Sequence, residues 1–87
     1  MYVILVYDIG EKRVGKMLKL CRRYLNWIQN SVFEGELTEV QLRELEKEAR
    51  ELMQIKEDSL IIFRCWDAFR LEKKVIGKEK NDLDHFL

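Results

Sequence analysis

Asp8 is the residue of this sequence best placed to do chemistry. It follows the unbroken apolar and aromatic run YVILVY and precedes Ile9 and Gly10. A run of that length reads as a central strand buried on both faces, which would hold one carboxylate at its carboxyl end. Asp8 then has two readings. In one it caps the following turn or helix through local backbone N–H groups. In the other it binds a hard divalent cation, Mg²⁺ or Mn²⁺, which takes oxygen donors, often one or two carboxylates with several waters. One aspartate per chain is half of such a set, and a two-fold axis beside Asp8 would supply the other half. A cation held there would orient and activate water and offset charge on a phosphodiester, the chemistry of metal-assisted nucleic-acid cleavage.

No other machinery stands in the sequence: there is no P-loop, no GxGxxG and no GxSxG. His85, the only histidine, lies near the end with Asp82 and Asp84; a terminal tail holds ligands poorly, so His85 is expected in solvent. Cys21 and Cys65 sit among apolar residues without CxxC spacing. Both are expected to be buried, reduced thiols.

Charge adds a second feature. The 16 basic and 16 acidic residues cancel, but they are segregated. Between Glu11 and Leu25 stand Lys12, Arg13, Lys16, Lys19, Arg22 and Arg23 against the single acid Glu11; from Glu34 to Asp58 acids prevail. Only such local distribution suggests an anionic partner when net charge is zero. The basic set is expected to contact nucleic-acid phosphate, with Arg13, Lys16, Arg22 and Arg23 the chief candidates. Tyr7, Trp27 and Phe33 are core aromatics or stacking platforms for bases, with core the expectation for Phe33.

The elements that must position these residues follow from periodicity. Val14, Met17, Leu18, Cys21 and Leu25 recur at helical spacing, opposite the basic face. WIQNSVFEGEL, residues 27–37, is rich in strand formers but long for one strand, so a break is expected near Ser31 or at Gly35. Thr38 followed by Gln41 forms a capping box for a helix marked by Leu42, Leu45, Ala49 and Leu52, with Glu39–Arg43 and Glu46–Arg50 pairs on its solvated face. Leu60 to Phe63 reads as a buried strand, and Phe69, Leu71 and Val75 mark an edge strand before Gly77.

Eighty-seven residues build one core. The expected fold is α+β, a single ferredoxin-like domain over residues 1–87: βαββαβ with an additional C-terminal strand. Both helices lie on one face of an antiparallel sheet. The other face needs a cover, for which a second copy of the chain is the economical answer. Residues 78–87 are left as a tail to dock on the dimer mate or another partner. The opening apolar run lacks a basic n-region and is too short for a signal sequence or membrane span, so a cytoplasmic, membrane-free protein is expected.

Taken together, the Tyr7-Asp8-Ile9 strand end, the basic helix and Ile28-Gln29-Asn30-Ser31-Val32-Phe33-Glu34-Gly35 resemble the second, smaller of the two core CRISPR adaptation proteins, over nearly the whole chain. The resemblance implies a ferredoxin-like homodimer in which Asp8 of each subunit faces a shared Mg²⁺ or Mn²⁺ site. It also implies a part in spacer acquisition, as a metal-dependent endonuclease on RNA or DNA or as the dimer bridging subunits of the CRISPR integrase. By position, Asp8 takes the family's metal-binding place, Arg13 that of a basic residue after the first strand, and Ser31 and Phe33 fall in its SVF segment, Ser31 joining the nucleic-acid candidates. The chain departs from the family at Trp27, where an arginine usually stands, and a guanidinium able to grip phosphate is absent there.

Three functions are thus in play. One is a metal-dependent phosphodiesterase built on Asp8. Another is a non-catalytic dimer that binds duplex DNA and bridges an integrase. A small-molecule regulatory domain is the third, against which the lack of a glycine-rich ligand loop counts.

Overall fold

The computed structural model describes residues 1–67 and 70–79. Its elements run β1 (Tyr2–Asp8), α1 (Glu11–Tyr24), β2 (Asn26–Gln29), β3 (Val32–Glu36), α2 (Glu39–Leu52), β4 (Ser59–Asp67) and β5 (Arg70–Gly77). All neighbouring strands pair antiparallel, in the order β2-β3-β1-β4-β5. This is the ferredoxin-like arrangement with the fifth strand added at the β4 edge. β1 lies in the middle, with Leu5 opposite Phe33 on one side and Ile62 on the other.

Burial along β1 alternates. Val3, Leu5 and Tyr7 are buried with Phe33, Leu60, Ile62 and Ile76 against Met17, Leu20 and Cys21 of α1 and Leu42, Leu45 and Ala49 of α2. Tyr2, Ile4 and Val6 point the other way and are only half-buried, as are Ile61 and Phe63 of β4. The expectation of a strand buried on both faces is therefore corrected for the single chain: both helices cover one side and nothing in the chain's described residues covers the other. On that open face the Tyr2 hydroxyl donates to the Glu34 carboxylate.

The expected break falls at Asn30–Ser31. Asn30 takes φ 47°, a left-handed conformation that asparagine tolerates better than most residues. Gly35 stays inside β3, where a Cβ would approach Leu25 Cδ2 to 3.2 Å. The capping box at α2 forms as read: the Gln41 N–H donates to Thr38 Oγ1 at 3.1 Å and the Thr38 N–H to Gln41 Oε1 at 2.9 Å.

Three side chains differ from expectation. Val14 is exposed and Leu20 takes its place in the α1 stripe. Cys65 is half-buried, and only Cys21 is fully enclosed. Glu46 is buried and bonds Lys74 of β5 instead of Arg50, because the edge strand roofs that part of α2. Phe69 and the tail residues Asp82, Leu83, Asp84, His85, Phe86 and Leu87 lie outside the described residues.

Candidate nuclease site

Asp8 closes β1 with its side chain on the exposed side, and its place is fixed from both flanks. On one flank the Tyr7 N–H donates to the Ser31 carbonyl at 3.2 Å, which brings the β2–β3 turn to this end of the sheet. The Trp27 indole N–H donates to the Asn30 carbonyl at 2.8 Å and latches the turn. On the other flank Asp8 pairs with Ser59 in the ladder to β4. Beyond Asp8, Ile9 is buried and Gly10 caps α1 without a side-chain hydrogen bond.

Asp58, just before β4, is the residue that sequence reasoning missed. It is fully buried and accepts four hydrogen bonds: from Gly10 N–H (2.8 Å), Gln54 N–H (2.8 Å), Arg13 Nε (2.7 Å) and Arg13 Nη2 (2.9 Å). The Arg13 guanidinium, aided by the Gln54 and Gly10 amides, outweighs burial and holds the Asp58 carboxyl well below the usual carboxylate range. Its carbonyl accepts from Lys78 N–H at 2.8 Å, and a Cβ on Gly77, at φ +91°, would fall 2.2 Å from that oxygen. Three segments thus close on one buried aspartate, two on its carboxylate and one on its main-chain carbonyl. No local pattern announces it, since its partners stand 45 and 48 positions upstream.

Arg13, expected at phosphate, gives two of its three nitrogens to Asp58, with Glu57 also in reach of Nη2 at 3.3 Å, so these donors serve the fold.

The other basic candidates do not form one patch at Asp8. Lys12 and Lys16 lie exposed on the first half of α1, nearest to Asp8, whereas Arg22 and Arg23 occupy its last turn. Ten residues of helix separate Arg13 from Arg23, roughly 15 Å along the axis. Arg23 is committed to Glu48 of α2 at 3.2 Å, whose carboxyl is lowered chiefly by the Tyr24 hydroxyl donating to it at 2.7 Å. Arg22 is exposed. Tyr7 and Phe33 belong to the core, their rings 6.0 Å apart between centroids, while Trp27 is 52% exposed. At the opposite end of the sheet Arg64 and Arg70 each stand 5.7 Å from the exposed Trp66 ring, an aromatic and basic cluster without a sequence signal.

Among the described residues no group of three or more His, Cys, Asp or Glu side chains could hold a metal. Asp8 offers a hard oxygen donor suited to Mg²⁺ or Mn²⁺, but one chain supplies half of a two-carboxylate set. The donor chemistry fits such a cation when two copies bring their Asp8 residues together. No helix among the described residues is long and apolar enough to cross a membrane.

The sequence matches the family model for CRISPR associated protein Cas2 over residues 1–70. The CRISPR-associated endoribonuclease Cas2 of Dictyoglomus turgidum is 41% identical over 87 residues, spanning 100% of both chains. That of Thermotoga maritima is 46% identical over 84 residues, 94% of each chain. A crystal structure of Cas2 superposes with TM-score 0.69 at 40% identity, covering 95% of this chain and 82% of that one. Streptococcus pyogenes Cas2 at pH 6.5 gives TM-score 0.69 at 28% identity over 75% and 86% of the respective chains.

Proposed function

Because this chain belongs to the Cas2 family of CRISPR-associated proteins, we propose that it is a cytoplasmic nuclease of CRISPR adaptation, cutting RNA or DNA as a homodimer with Asp8 in a site shared by two copies. The observation that carries this reading is Asp8 itself, an exposed carboxylate pinned on both flanks at the end of the central strand, in a chain whose relatives bear the name endoribonuclease. The half-buried apolar face of Tyr2, Ile4, Val6, Ile61 and Phe63 supports the dimer, since a second copy would cover it.

In the dimer, Asp8 of each copy would hold Mg²⁺ or Mn²⁺. When bound, that cation supplies an oriented, acidified water and offsets charge on the scissile phosphate. The chain's own residues do the rest. The rigid strand end fixes the carboxylate direction, Lys12 and Lys16 draw the phosphodiester toward it, and the latched turn keeps Ser31 beside it. Lys19 and Arg22 extend the basic stripe along α1 for phosphates farther from the cut.

The test is cleavage of labelled single-stranded RNA and duplex DNA with Mg²⁺, Mn²⁺ or EDTA, beside Asp8→Ala. Metal-dependent cutting that disappears in the variant is expected; parental cutting by Asp8→Ala would overturn the assignment.

Trp27 favours a second reading. Its indole N–H is already given to Asn30, so it does not replace the phosphate grip of the family's arginine. In this reading the dimer bridges an integrase, the α1 stripe holds duplex DNA, and the tail over residues 78–87 docks the partner. Retained DNA binding without cutting by either protein makes this reading the primary one.

A further inference from the structure

We propose that Asp58 and Arg13 are positioning residues for Asp8, acting through the backbone that carries it. This rests on reading Asp8 as the cation-holding carboxylate. Asp8 is registered on Ser59 and Gly10 is bonded to Asp58, so the residues at positions 8 and 10 are tied to neighbouring residues at the start of β4. The Arg13 fork holds the Asp58 carboxylate from the first turn of α1. Gln54 N–H occupies the remaining side, and Lys78 with Gly77 closes over the carbonyl. Gly10 is fitted to the same cluster, because a Cβ there would stand 2.4 Å from Arg13 Nη2. Asp58 and Arg13 reach the Asp8 carboxylate through the backbone of residues 8–10. What they fix is the turn that sets its direction, a property a two-carboxylate site depends on more than the fold does.

The parent chain is compared with Asp58→Asn, Arg13→Lys and Gly10→Ala. Arg13→Lys keeps the charge but loses the two-pronged geometry. Gly10→Ala keeps both charged groups and crowds only the end of the arginine, so these two variants remain informative where Asp58→Asn fails to fold. Four quantities are measured: folded fraction by circular dichroism in urea, binding of Mn²⁺ alone by electron paramagnetic resonance, RNA binding in EDTA by anisotropy, and RNA cleavage per folded molecule.

Arg13→Lys and Gly10→Ala are expected to stay folded and to hold RNA within about 2-fold of the parent. Mn²⁺ affinity and cleavage fall together by about 10–100-fold, the loss typical when a group supporting a metal ligand is removed. Folded variants that bind Mn²⁺ and cut at parental levels would overturn the proposal. A parent that does not cut but whose Mn²⁺ affinity drops in Arg13→Lys overturns the hydrolytic reading alone. A parent that binds no Mn²⁺ overturns both.

Discussion

Lys74 Nζ, on the edge strand β5, lies 3.1 Å from a carboxylate oxygen of Glu46, a residue of α2 that is only 5% exposed. The strand is otherwise largely exposed apart from Ile76, so this ion pair ties it to the helical layer alongside the burial of Ile76 in the core. Lys74→Met would leave the Glu46 carboxylate buried without its partner. A loss of ~1–3 kcal/mol is expected, lowering Tm by roughly 4–24 °C for a domain of this size. Adding Glu46→Leu should recover much of that loss, since removing both partners avoids an uncompensated charge. Thermal melts of the single and double variants check this.

Acid stability should depend on Asp58. Its folded-state carboxyl lies below the usual range, while the unfolded value is about 3.9. The folded state therefore binds this proton less readily, and the stabilisation is fully present above the unfolded value and lost as pH falls through the folded one. The stability gap between the parent and Asp58→Asn, read from urea midpoints at neutral pH and in steps down to strong acid, should narrow as pH falls below about 4.

The two cysteines should differ sharply toward alkylation. Burial pushes the Cys21 thiol up to about 12, so at mildly alkaline pH it is both protonated and enclosed. Cys65 is half-buried near the end of β4. Iodoacetamide followed by peptide mass analysis should find Cys65 modified first and Cys21 modified only as the chain unfolds.

Removing the Thr38 hydroxyl tests the α2 cap in isolation from the candidate site. Thr38→Ala breaks the bond from Gln41 N–H and should cost ~1 kcal/mol of stability. RNA cleavage per folded molecule should be unchanged, because the cap touches none of the residues around Asp8.

Nucleic-acid affinity should follow the unequal commitments along α1. Lys16→Gln and Arg22→Gln should each lower the salt dependence of binding by about one counterion. Arg13→Gln should instead lower stability and leave that salt dependence near the parental value, because its guanidinium faces Asp58. Titration of labelled RNA at several salt concentrations distinguishes the two behaviours.

What the sequence made legible was local. The reciprocal Thr38–Gln41 bonds, the 3.6-residue stripes and the strand ending in Asp8 all rest on residues a few positions apart, where spacing maps directly onto geometry. Asn30 was nearly found, since the run from Trp27 required a break, yet the residue adopting the left-handed conformation was fixed only by the pairing of β2 with β3. Glu46 was misjudged because its place on the helix looks solvated until an edge strand 28 residues later covers it. Asp58 sits in a charged stretch resembling any surface loop, and the Arg13 that neutralises it looked like one more member of a basic face. Long-range pairing of a buried acid with a seemingly exposed base leaves no period to read.

The cluster around Asp58 also imposes an order on the making of the protein. Asp8 leaves the ribosome ahead of the carboxylate that fixes its turn, which is synthesised 50 residues later, and the amide that closes over Asp58 belongs to Lys78. A nascent chain shorter than that can form α1 and the β2–β3 hairpin, since those contacts are near in sequence. It carries Asp8 on an untied turn. The candidate nuclease centre is therefore locked only after the 70 residues that follow Asp8, as far as Lys78, have been joined.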